Sequence, residues 1–102
     1  MSDVKKLKKQ FFKRDGLFTL RKESESAYLY EVEIGGGISF EVFQKKTSRV
    51  CLDFENRIYS DTEVKERYPG DEDFGVWAWS YTSLASALLK FDYISESFFN
   101  NN

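Results

Sequence analysis

Hydrophobic positions in this chain alternate with polar ones far more often than they recur at helical spacing. From Ala27 to Ile34, Tyr28, Tyr30, Val32 and Ile34 share one side and Leu29, Glu31 and Glu33 the other, a period of two that predicts a strand. Gly35-Gly36-Gly37 follows, and Ile38 to Phe43 alternates again, so the two runs predict a β-hairpin with a glycine turn. If Ile34 and Ile38 flank that turn, Glu31 faces Glu41, a like-charge pair that a basic neighbour or partner would relieve. Leu17 to Lys22 reads as an earlier strand. Val50 to Glu55 reads as a later one, with Val50, Leu52 and Phe54 inward and Cys51, Asp53 and Glu55 outward. Asn56 to Asp61 reads as loop or strand end, and Thr62 to Tyr68 as an edge strand or irregular connection. Phe74 to Tyr81 alternates small and large side chains, placing Trp77, Trp79 and Tyr81 on one strand face.

Helical spacing occurs twice. Ser2 can cap a segment from Asp3 to Arg14 in which Val4, Leu7 and Phe11 fall at i, i+3 and i+7, a short amphipathic basic helix ended by Asp15-Gly16. Leu84, Ala87, Leu88 and Phe91 predict a second helix, capped by Thr82 or Ser83 and running to about Tyr93 or beyond. Without repeats or a linker, residues 1–102 read as a single domain: a basic helix over 1–14, a sheet plus helix over 15–95, and a frayed tail over 96–102. The expected class is α+β, an antiparallel sheet of about four to five strands with the C-terminal helix across one face. The basic N-terminal helix is expected to cap an edge or stand off. The expected core is Leu20, Tyr30, Val32, Ile34, Phe40, Val42, Val50, Leu52, Phe54, Trp77, Leu84, Leu88 and Phe91.

Composition narrows the chemistry. Ten Phe, six Tyr and two Trp in 102 residues supply a core without metal or disulfide staples, since each buried ring removes roughly 150–250 Å² from water. The chain has no histidine and a single cysteine, Cys51. That excludes a disulfide framework, Cys/His zinc sites, and Ser-His-Asp or Cys-His catalysis. Neither a secretory apolar segment nor a run of bilayer length is present, so a cytoplasmic location and no membrane partner are expected.

Charge is uneven. Residues 1–14 carry six basic side chains against one acidic, a net of +5, while 15–102 carry nine basic against sixteen acidic, a net of −7. Lys5, Lys6, Lys8, Lys9, Lys13 and Arg14 form a candidate contact arm for nucleic acid or an acidic partner. Glu31, Glu33, Glu41, Asp53 and Glu55 form a candidate acidic face that would dock on a basic partner such as the channel of a nucleic-acid enzyme. Trp77, Trp79 and Tyr81 are either core or a stacking surface for unpaired bases.

Other motifs carry little. Asp73-Phe74-Gly75 spells a kinase magnesium motif, but the nucleotide loop, strand lysine and catalytic aspartate that kinases need are missing. Asp71-Glu72-Asp73 lacks the spread of ligands that a calcium loop needs, and reads as a surface turn after Pro69-Gly70. The triglycine precedes a strand rather than a helix, which argues against phosphate cradling. No cofactor and no metal are expected.

The run Tyr68-Pro69, Asp71-Glu72-Asp73-Phe74-Gly75, Trp77-Ala78-Trp79, Tyr81 and then Ala85 to Phe91 resembles a pattern in short uncharacterised proteins from Bacteroidetes genomes, their phages and mobile elements. It covers about a quarter of the chain, leaves out the basic arm, and brings no catalytic residues. The resemblance implies a stoichiometric binder of the anti-defence kind, of which anti-CRISPR proteins are a prominent class. The expected function is therefore a non-enzymatic inhibitor or modulator of a host RNA-guided nuclease, contacting the effector or its guide RNA. The alternative is a small RNA- or single-strand-binding accessory protein that uses the basic arm.

Overall fold

The computed structural model describes residues 4–13 and 15–100. The chain falls into two compact units. One, the hairpin unit, comprises the described residues up to Leu7 together with Lys46–Tyr68; the other, the helix unit, comprises Lys8–Lys45 and the chain from Pro69 onward.

The helix unit contains β2 (Gln10–Lys13), β3 (Gly16–Glu23), β4 (Ala27–Ile34), β5 (Gly37–Gln44) and β8 (Ala78–Tyr81), followed by α1 (Leu84–Asn100). The five strands form one antiparallel sheet in the order β2-β3-β4-β5-β8. The β4–β5 hairpin closes on Gly35 and Gly36, whose φ values of 56° and 82° suit the two-residue turn that matches strand twist. Ile34 therefore pairs with Gly37, not Ile38, and Glu31 pairs with Phe40, not Glu41. A register shift of one residue sends alternate side chains to opposite faces, so the expected Glu31–Glu41 pair does not form.

Both faces of β4 are buried. Ala27 and Leu29 point with Phe40 and Val42 toward α1, where Ala87, Phe91 and Ile94 meet them and Trp79, Tyr81 and Leu88 close the cluster. On the opposite face Phe11, Phe18, Tyr28, Tyr30 and Phe43 stack in a chain of rings. Phe11 lies parallel to Phe18 at 5.0 Å and Tyr30 parallel to Phe43 at 5.8 Å. Offset and edge contacts of this kind add stability beyond burial alone. The buried Tyr30 hydroxyl donates to the Lys8 carbonyl at 2.8 Å, which gives its one polar atom a partner.

The expected basic helix is not formed. Val4–Lys5 is strand β1 and Gln10–Lys13 is strand β2, while Arg14 lies outside the described residues. An isolated helix of that length is marginal in water, whereas Phe11 gains ring contacts by pairing against β3. Tertiary pairing overrides the helical spacing. At the other end, Ser83 occupies the expected cap position and α1 continues past Tyr93 to Asn100. Within the expected core, Ile34, Leu52, Phe54 and Leu84 are exposed, while Leu20, Val50 and Leu88 are half-buried.

The hairpin unit holds β1 (Val4–Lys5), β6 (Thr47–Asp53) and β7 (Ile58–Glu66) in the order β1-β7-β6. β1 runs parallel to β7, and β6 antiparallel to it. The span from Asn56 that reads as loop or strand end in the sequence contains the start of β7 at Ile58. Glu66 ties the unit's first strand in, its carboxylate accepting from the Leu7 N–H at 3.0 Å.

Candidate functional site

The register of the five-stranded sheet places Phe12, Leu17, Glu33 and Ile38 in one row across β2, β3, β4 and β5, on the same face as α1. The next row carries Gln10, Thr19, Glu31, Phe40 and Tyr81. The helix starts beside Tyr81 and runs toward the β3–β4 turn. Lys22 approaches Asp92 there at 3.8 Å, and the Ser24 and Ser95 hydroxyls lie 2.8 Å apart. It therefore leaves the Gly35-Gly36 end of this face uncovered. Phe12 is 81% exposed and Ile38 51% exposed, with the exposed Glu33 between them in register. Glu31, half-buried in the neighbouring row, meets the Arg21 guanidinium at 3.5 Å. Two exposed apolar side chains flanking the Glu33 carboxylate form a surface suited to a partner that is basic with an apolar anchor point.

The expected acidic face is only partly assembled. Glu31 and Glu33 share this face; Glu41 lies on the opposite face of the same sheet, beside Tyr30 in register. Asp53 and Glu55 belong to the hairpin unit, Asp53 at the end of β6 and Glu55 in the turn behind it. The Asp53 carboxylate accepts from the Asn56 side chain at 2.8 Å and from its N–H at 3.3 Å, and these bonds hold its pKa below the usual carboxylate range.

The basic arm is also divided. Lys5 and Lys6 lie in the hairpin unit and Lys8, Lys9 and Lys13 in the helix unit, so the described lysines do not form one helical face. The aromatic trio splits too. Trp79 and Tyr81 pack on the helix cluster, while Trp77 precedes the strand, is buried, and meets the Phe43 ring edge-on at 6.3 Å. Lys90 reaches over Trp79 at 3.9 Å and over Tyr93 at 4.9 Å, a cation–π bracket that covers the indole.

The acidic triplet folds on itself. Asp71–Asp73 is one 3-10 turn in which the Asp73 carboxylate accepts from the Gly70 N–H at 2.8 Å and the Asp73 carbonyl accepts from Val76 and Trp77 N–H at 3.1 Å each. Gly75 follows with φ 90°, a conformation that favours glycine. Asp73 and Gly75 thus aim the chain into β8, and the Asp-Phe-Gly run is a piece of turn architecture. Among the described residues no group of three or more Cys, Asp or Glu side chains could hold a metal ion, and no helix is long and apolar enough to cross a membrane.

Sequence reasoning missed the hairpin unit's exposed side chains. Phe54 is 84% exposed and Leu52 62% exposed, with Ile58 and Tyr59 also open to solvent. The Arg49 guanidinium stands over the Tyr59 ring at 5.6 Å. An open groove of about 390 Å³ is lined by Ser48, Arg49, Cys51, Phe54, Tyr59 and Lys65. A second of about 460 Å³ shares Phe54 and Tyr59 and adds Glu55 and Arg57. The signal that could have found it was the basic and aromatic alternation of Arg49, Phe54, Arg57, Tyr59 and Lys65. Reading Val50, Leu52 and Phe54 as inward-facing concealed it.

The fold and these surfaces define a small α+β protein with a helix-backed antiparallel sheet and a separate three-stranded hairpin sheet. Comparison of the chain with protein-family models, with curated proteins and with solved structures finds no match.

Proposed function

We propose that this chain is a non-enzymatic binding protein that inhibits or modulates a host RNA-guided nuclease by direct contact, as an anti-CRISPR-type protein of a mobile element. The observation that carries the reading is the uncovered end of the five-stranded sheet, where the exposed Phe12 and Ile38 flank Glu33. Interface energy concentrates in a few apolar or aromatic anchors, while complementary charge selects the partner and speeds encounter. Here Phe12 and Ile38 supply the anchors. Glu33, with Glu31, supplies charge matched to the basic walls that nucleoprotein enzymes present to nucleic acid.

The test is interference by the host nuclease in cells expressing the wild-type chain, a Phe12→Asp variant, or a Glu33→Lys variant. Wild type is expected to suppress interference and both variants to restore it, with thermal unfolding of the purified variants close to wild type because both side chains are exposed. Full interference in the presence of wild type sinks the proposal. An accessory RNA-binding role is the second reading, favoured by the basic and aromatic groove of the hairpin unit.

A further inference from the structure

We infer that the β6–β7 hairpin is a single-stranded RNA-binding platform, with Phe54 and Tyr59 as base-stacking walls and Arg49, Arg57 and Lys65 as the phosphate-facing charges. Three features of the hairpin unit carry this. The two grooves are adjacent and share Phe54 and Tyr59, so the same two rings border consecutive compartments. A base has a π-face on each side, and successive bases stacked on aromatic walls are the common solution for binding unpaired strands.

The charges are placed accordingly. Arg49 and Lys65 line the first groove and Arg57 the second. Glu55 is the acidic residue among the described lining side chains, and Asp53 outside the grooves spends its carboxylate on Asn56. Arg49 already lies against the Tyr59 ring, which leaves a guanidinium beside the position of a stacked base.

Exposure completes the case. A phenylalanine 84% open to water has no intramolecular packing to explain it, and it shares its groove with the cations Arg49 and Lys65. That mixture suits a polyanion with flat apolar faces better than a protein anchor. Backbone charge and ring faces alone would accept either RNA or DNA. The choice of RNA rests on the nuclease reading above, because the guide is the strand such an effector exposes. Ser48, at the groove wall, adds a hydroxyl that can bond a ribose 2′-OH.

The test uses the whole chain and fluorescence anisotropy with a labelled oligouridine of about ten nucleotides, a length within the span such platforms cover. Saturable binding is expected. It should weaken about 20-fold between 50 and 200 mM salt if about three phosphates are neutralised. Phe54→Ala should weaken it roughly 5- to 150-fold, the worth of one stacked base, while Phe54→Trp should restore it. Leu89→Asp, on the exposed face of α1 in the other unit, should leave it unchanged. No saturable binding at low salt overturns the inference, as does a Phe54→Ala variant that binds like wild type. Equal binding of the matching deoxy-oligomer overturns the choice of RNA. Because free oligonucleotide binding and suppression of interference are read separately, failure of one is distinguishable from failure of the other.

Discussion

Two sheets in this chain are built from similar alternating sequence and end up with opposite relations to water. In the helix unit the central strand β4 is buried on both faces, by α1 on one side and by a chain of rings on the other. In the hairpin unit, β6 carries Leu52 in the same alternation, with Phe54 just beyond it, and both are exposed. Every described buried hydrophobic side chain lies in the helix unit; in the hairpin unit the described buried side chain is Ser60, whose hydroxyl accepts from the Glu63 N–H at 2.8 Å. Alternation specifies a strand. Burial needs a further layer, and a side chain patterned for burial that remains in water is a candidate for contact.

The largest expected effect tests that contrast with one chemical change made in each unit. Phe43→Ala removes a fully buried ring stacked on Tyr30 and is expected to destabilise the helix unit by about 3–5 kcal/mol. Phe54→Ala removes an equal side chain from water and is expected to change stability by less than about 0.5 kcal/mol. Urea unfolding of both variants checks this. A Phe54→Ala cost approaching that of Phe43→Ala would break the comparison, because it would mean that the hairpin tip is packed in solution.

The same contrast explains what was legible in the sequence. The β4–β5 hairpin and the start of α1 were legible because local signals agree there: alternation, then glycines that accept positive φ, and a serine at the cap position. The N-terminal segment was not, because Val4, Leu7 and Phe11 satisfy helical spacing while two competing attractions divide it: β2 folds back on the adjacent β3 with ring contact between Phe11 and Phe18, and β1 pairs with β7, a partner remote in sequence. The acidic face was legible only for Glu31 and Glu33. Glu41 depended on a turn register that slides by one residue according to which glycines form the turn, and Asp53 and Glu55 belong to a different sheet's hairpin. Phe12 was visible as a residue but not as a surface, since its exposure follows from where α1 stops covering the sheet.

A smaller effect sharpens the account of the helix unit. Tyr30→Phe keeps the ring stack and removes the hydroxyl that donates to the Lys8 carbonyl. A loss of about 1 kcal/mol is expected, the net worth of such a bond with the carbonyl left to find water. Amide exchange near Leu20, whose N–H donates to the Lys9 carbonyl at 2.7 Å, should quicken in the same variant. A Tyr30→Phe protein as stable as wild type would assign all of Tyr30's contribution to its ring.

The smallest effect belongs to the exposed hairpin tip, where burial contributes nothing and local hydrogen bonds remain. Asp53 accepts from the Asn56 side chain and, more weakly, from the Asn56 and Glu55 backbone, all of which favour its charged form. Its folded pKa is thus lower than its unfolded one, so the stabilisation is fully present above the unfolded value and is lost as pH falls through the folded value. Following the Asp53 carboxyl carbon by NMR across the acid range should show a midpoint below that of an unstructured aspartate. Asn56→Ala should move it upward toward the ordinary value, since the leading cause is removed. The bond helps to keep Asp53 turned toward Asn56. An unshifted midpoint in wild type would mean that the tip turn is open in solution, which would also remove the argument that Phe54 is held ready at its end.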